Sequence, residues 1–351
     1  MSMFHKNLQF YRLKKSMTKK QLAEAIGVTP MAISYYESGE RKPDMATIRA
    51  LASALGVKIA DFLVARNENI VFRHGDFRKK SDLPKAQQEY VNACAEEYFS
   101  RFLDVVEILG GEILPDAPDC GSLPITGDAE QDAAALRNHL GFAADGHIDD
   151  LLSRLEDKGI LLFLHEVDND GFSGVNGFVN DRPYIMLNAK MITERNRSTA
   201  VHELAHLMFD WTGMSDKDME KYATEIGGAF LFPKSDVVRE LGIRRTAVSS
   251  DMAIVAREYG ISMMLLVTRA NKCGVISDST AKSFFIRASQ QGWRKHEPSR
   301  INKETPSLFS QLVYRAVSEE EISIQKGAEL LRQSYADVAS VCSDGDGAWN
   351  I

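Results

Sequence analysis

The stretch STAVHELAHLMFDW, residues 198–211, constrains the chain more than any other part of it. Ala200, Val201, Leu204, Leu207 and Met208 recur at the spacing of a helix that buries one face. Set into it are His202, Glu203 and His206, which a protein interior accepts only with partners. Residues four apart lie on one face of a helix, roughly 6 Å apart along its axis, so both imidazoles can reach one metal ion. Glu203 points to the adjacent side, where a carboxylate can take a proton from an attacking water. The spacing therefore supplies two ligands and a base, with zinc the expected ion. The bland alternative is two hydrogen-bonded core histidines beside a surface glutamate.

A third ligand must come from elsewhere. No histidine follows at the metzincin spacing, since the chain reads HELAHLMFDWTG. Asp210 is four residues past His206, but a third ligand on the same straight helix over-extends the site. Glu220 is the better choice. It opens EKYATEIGGAFLFP (220–233), which reads as a second helix folding back antiparallel after the turn DWTGMSDKD. A carboxylate from that helix completes a His, His, Glu set. Glu225 is a lesser rival.

The N-terminal part has a different character. Residues 1–65 hold ten bases against five acids, a net +5, which leaves −12 on the rest of a chain whose total is −7. A basic head on an acidic body points to a polyanionic partner. Leu22, Ala23, Ile26, Ile33, Tyr36, Ile48, Leu51, Ala52 and Leu55 keep helical spacing. Gly27 stands where a helix ends, Thr29 where the next is capped, and Pro30 in its first turn. This helix–turn–helix segment resembles that of phage-repressor-type (xenobiotic-response-element class) regulators over about residues 5–65. The matching residues are Gln21-Leu22-Ala23, Gly27-Val28-Thr29, Ile33, Glu37, Gly39 and Pro43. The resemblance implies an internal Arg12–Glu37 pair and a recognition helix, about 29–38, lying in the major groove of double-stranded operator DNA. Pro30, Met31, Ser34 and Tyr35 would face the groove, with Thr29 a further DNA-binding candidate. With no Arg, Asn or Gln among them, base readout is weak. Lys19, Lys20, Arg41 and Lys42 are placed for phosphates.

Between head and body, residues 83–111 read as one long amphipathic helix, able to pack on the body or to form a dimer contact. Residues 114–131, rich in Pro, Gly and Asp, read as a linker. Helices follow near 128–141 and 147–158, then a strand at 159–167. Two strands, GVNGFVN and RPYIMLN, pair across Asn180-Asp181. The four cysteines are scattered without a CxxC pair, which argues against a zinc ribbon or a disulfide scaffold. The N-terminus lacks an apolar stretch of signal-peptide length, and runs such as ISMMLLV (261–267) are too short to span a bilayer. The expectation is a cytoplasmic protein with no membrane association.

With these elements in place, the body resembles the ImmA/IrrE family of zinc metallopeptidases. The likeness is carried by YIMLN (184–188), ERNRSTAVHELAHLMF (194–209) and EKYATEIGGAFLFP, where Ile226 and Gly227 replace the family's usual Phe-Ala. GWRKHEP (292–298) and residues 304–331 resemble the C-terminal extension of longer members. The resemblance implies an α+β fold: an all-α helix-turn-helix head joined to a zincin-like (gluzincin) metallopeptidase domain, with a helical C-terminal extension. The expected division is 1–66 head, 67–127 connector and linker, 128–290 peptidase domain and 291–351 extension.

It further implies zinc held by His202, His206 and Glu220, Glu203 as general base, and cleavage of a repressor or antitoxin in stress or mobile-element control. Tyr184, Arg182, Tyr222 and His165 are candidate oxyanion donors, and the YIMLN strand a candidate edge for an extended substrate. The rival expectation is a non-enzymatic regulator or antitoxin-like protein whose zinc is structural or sensory. A homodimer is compatible with either.

Overall fold

The structure is a computed structural model that describes residues 3–64, 70–75, 83–293 and 297–342. In chain order its elements are α1 (Phe4–Lys14), α2 (Lys19–Ile26), α3 (Pro30–Ser38), α4 (Met45–Leu55), β1 (Phe72–His74), α5 (Lys85–Ile108), α6 (Ala129–His139) and α7 (Leu151–Glu156). Then come β2 (Leu161–His165), β3 (Gly174–Val179), β4 (Arg182–Asn188), α8 (Thr193–Met208), α9 (Asp216–Leu231), α10 (Lys234–Leu241), α11 (Asp251–Glu258), α12 (Met263–Lys272) and α13 (Asp278–Gln290). The chain ends in α14 (Leu308–Ser318), α15 (Ile324–Leu331) and α16 (Tyr335–Cys342). No helix among the described residues is long and apolar enough to cross a membrane.

Two compact units form, and they do not follow the linear order of the chain. Of the described residues, one comprises 3–64, 70–72, 83–113 and 312–342; the other comprises 73–75, 114–293 and 297–311.

In the first unit, Leu8, Leu22, Ile33, Leu51, Leu55 and Phe62 bury a common core under α1–α4. Local chemistry sets the ends of these helices. Thr18 caps α2 in a reciprocal box with Gln21. Thr29 accepts from the Ala32 amide, with Pro30 in the first turn of α3. Arg12 and Glu37 form a buried two-point ion pair at 2.5 and 2.9 Å, as the resemblance implied. The long helix α5 packs on α1, with Tyr90 and Phe10 in ring contact. Its Glu97 binds both Arg101 and Arg332, and Arg101 reaches the Leu330 carbonyl. The C-terminal helices therefore pack with α5 in this unit.

The second unit is built on a four-stranded sheet of order β1-β3-β4-β2. β3 and β4 are an antiparallel hairpin, and β2 pairs parallel to β4. Asn180 and Asp181, both at positive φ, make its two-residue turn. Leu162, Ile185 and Leu187 of the sheet meet Val201 and Leu204 of α8 and Phe230 of α9 in one core. Two buried arginines receive the carbonyls at the end of α9: Arg137 donates to Phe230 and Arg269 to Phe232. Within the stretch read as a linker, the amides of Gly121 and Leu123 donate to the Leu207 and Met208 carbonyls, closing the end of α8. Residues 297–308 lie on this unit through Glu304 to Arg197, Ile301 to Glu194, and Ser307 to Glu156. β4 is flanked on both sides, so the YIMLN strand presents no edge. The long-range parallel pairing with β2 closes it.

Candidate metal centre

α8 carries His202 and His206 on one face because they are one helical turn apart. Their Nε2 atoms lie 2.9 Å from each other. α9 packs alongside α8 and brings in Glu220, whose carboxylate oxygens lie 3.5 Å from His202 Nε2 and 3.2 Å from His206 Nε2. Each of the three side chains offers one ligand atom, and these atoms all lie within 4.8 Å of one another. The rival carboxylates are engaged elsewhere. Asp210 accepts from the amide and hydroxyl of Thr212, bonds that hold its pKa down. Glu225 pairs with Lys272 at 2.7 Å.

Two neighbours order the cluster, and neither was singled out from the sequence. Thr224 Oγ1 donates to the Glu220 carbonyl at 2.9 Å. It also lies 3.1 Å from His202 Nδ1. With the hydroxyl proton committed to the carbonyl, Nδ1 must be the donor in that second bond. His202 thereby presents the lone pair of Nε2 to the cluster. The signal was present as Thr224 four residues after Glu220, on the same helical face. The second neighbour is Asn176 of β3, whose Nδ2 donates to Glu203 Oε2 at 2.8 Å. Glu203 is buried, at 4% exposure, so this bond orients a carboxylate with little access to bulk water.

The candidate oxyanion donors meet other groups. Side chains alternate across a strand. Asn176 faces α8, so Gly177 and its register partner Tyr184 face the other way. The Tyr184 hydroxyl lies 2.6 Å from His74 Nδ1. Arg182 donates to the Pro115 carbonyl and Tyr222 to Asp132. His165 sits on β2 beside the Phe163 ring.

In the head, Pro30, Met31 and Tyr35 project from α3 with Lys19, Lys20, Thr29, Arg41 and Lys42 also exposed; Met31 is 59% and Tyr35 40% accessible. Lys19 donates to Ser34, tying the start of α2 to the outward face of α3. The Thr29 hydroxyl oxygen serves as the α3 cap.

Comparison with known proteins gives the class of each part. Residues 8–62 match the family model described as helix-turn-helix, and residues 155–271 the one described as IrrE N-terminal-like domain. The chain thus carries a helix-turn-helix segment followed by an IrrE/ImmA-like domain of α+β architecture. Among curated proteins it is similar to the uncharacterized HTH-type transcriptional regulator YqaE of Bacillus subtilis (strain 168), 32% identical over 71 residues, 20% of this chain and 61% of that protein. It is also similar to the SPbeta prophage-derived uncharacterized HTH-type transcriptional regulator YonR of the same organism, 34% identical over 62 residues, 18% of this chain and 56% of that protein. The chain spans about three fifths of the length of these relatives.

Proposed function

We propose that this chain is a DNA-binding transcriptional regulator of the cytoplasm whose second unit is a zinc-dependent endopeptidase that cleaves a repressor or antitoxin protein. The observation that carries the reading is the convergence of His202, His206 and Glu220 beside an oriented Glu203. The donor set fits zinc: two imidazoles and one carboxylate, the ligand types of a catalytic site that keeps one position for substrate. The Thr224 bond, which turns the Nε2 lone pair of His202 toward the cluster, fits the same role. When bound, zinc supplies a Lewis acid that polarises the scissile carbonyl and acidifies the attacking water.

The chain's own residues do the rest. Glu203, held by Asn176, takes the water's proton and returns it to the leaving amine. The head brings the peptidase to the operator where its target sits. Lys19, Lys20, Arg41 and Lys42 meet phosphates, while Met31, Ser34 and Tyr35 make apolar and single hydrogen-bond contacts with base edges. The identity of the target as repressor or antitoxin rests on the ImmA/IrrE resemblance.

The test compares Glu203→Gln with His202→Ala, His206→Ala and Glu220→Ala in the full chain. All three ligand variants are expected to lose metal by elemental analysis. Glu203→Gln is expected to keep metal and operator binding and to lose cleavage of a co-expressed repressor-type partner. If Glu203→Gln cleaves and activates like the unsubstituted chain while the ligand variants do not, the metal is structural or sensory. The chain is then a non-enzymatic regulator.

A further inference from the structure

β3 carries Asn176, and its outer edge is where an extended peptide could add a strand within reach of Glu203. That edge is occupied by the chain itself. β1 pairs with β3, and the Gly75 amide donates to the Asn176 carbonyl at 2.9 Å. The same Asn176 thus touches both this segment and Glu203. Side-chain contacts also hold the segment. Arg73 pairs with Asp181 at 2.6 Å and lies over the Phe178 ring at 5.0 Å. His74 Nδ1 meets the Tyr184 hydroxyl.

The approach is close enough to require glycine on both sides. A Cβ on Gly75 would stand 2.6 Å from the Asn176 carbonyl oxygen, and one on Gly177 2.7 Å from the Arg73 carbonyl oxygen. Arg73, His74, Gly75, Asn176, Phe178 and Asp181 line a cleft of about 540 Å³ together with Cys120. Cys120 adjoins the residues that close the end of α8.

We infer that the outer edge of β3 is a peptide-binding position and that Arg73-His74-Gly75 fills it as an internal pseudo-substrate. The ligand it takes is an extended peptide with a basic side chain for Asp181 and Phe178 and a glycine against Asn176. The inference rests on reading the second unit as a peptidase, since only then does an incoming peptide meet Glu203. As part of the same chain, the segment competes at an effective concentration on the order of millimolar. A peptide in trans therefore enters only when it outbinds the segment or when the segment is loosened.

The test uses the full chain carrying Glu203→Gln, so that no peptide is consumed. Into it go Gly75→Ala, which forces a clash with Asn176, and separately Arg73→Ala, which removes the pair with Asp181. Far-UV circular dichroism and metal content check that each variant is folded. Amide exchange across 175–179 is expected to quicken at least tenfold in both. A fluorescent peptide of residues 70–75, IVFRHG, is expected to bind both at least tenfold more tightly than it binds the chain with the segment intact. The same peptide with alanine for arginine is expected to lose that gain. Unchanged exchange overturns the inference. Faster exchange without tighter peptide binding overturns it too. Because binding is read without catalysis, the loosened chain can bind the peptide even if the chain with Glu203 intact cleaves nothing. That result would reject the peptidase reading and leave the peptide position standing.

Discussion

Thr224→Val isolates one link in the candidate site. Valine has the shape of threonine but neither donates nor accepts, so the substitution removes the bond to His202 Nδ1 at 3.1 Å and the bond to the Glu220 carbonyl at 2.9 Å. Without the first, nothing from Thr224 holds the His202 ring in the tautomer that turns Nε2 toward Glu220 and His206. Loss of such an outer partner typically costs 10- to 100-fold in metal affinity. The structure selects the lower end. Thr224 is exposed, so water can take over part of its role. The expected loss is about tenfold, or about 1.4 kcal/mol. Competition for zinc against a chromophoric chelator measures it at fixed pH. Thermal unfolding of the metal-free chain should move little, because an exposed Thr-to-Val change on a helix is worth under about 0.5 kcal/mol. Affinity unchanged within a factor of two would refute the reasoning, and so would an equal loss in the metal-free chain's stability.

Glu37→Gln should be costly in the head, because it leaves the Arg12 guanidinium charged and buried, at 5% side-chain exposure, without its carboxylate. The expected loss is about 3–5 kcal/mol, with most of it recovered in Arg12→Met/Glu37→Leu. Amide exchange of residues 4–55 and operator mobility shifts read both; a single variant as protected as the parent would sink the argument. Glu156, buried where it accepts from the Ser307 and Leu308 amides, has its pKa pushed up from 4.5 to about 7 by desolvation. The folded state therefore binds the extra proton between those pH values. Stability contributed by the neutral acid is full below about pH 4.5, falls as pH rises through about 7, and is level above it. Glu156→Gln should gain on the parent by an amount on the order of 3 kcal/mol between pH 4.5 and 8, measured by denaturant unfolding; a pH-independent difference would reject the burial argument.

What a single sequence determines here is local. Periodicity places His202 and His206 on one face, Gly27, Thr29 and Pro30 punctuate the head, and Asn180-Asp181 closes a hairpin. Each depends on residues only a few positions apart, where backbone geometry leaves few choices. Tertiary structure decided which faces meet. Spacing alone leaves Glu220, Glu225 and Asp210 all as candidates for the third ligand. Only the packing of α9 on α8 aims the first at the histidines and leaves the others to Lys272 and Thr212. Asn176 is 27 residues from Glu203 and reaches it because β3 crosses beneath α8. The YIMLN strand became interior through its parallel pairing with β2, and β1 covered the outer edge of β3, pairings that join segments distant in the chain. The final helices packed with α5, while residues 297–308 stayed with the second unit through Glu156, Glu194 and Arg197. Amphipathic patterning says that such faces must be covered. It carries no information on which distant segment covers them, because any apolar face of suitable shape lowers the exposed area.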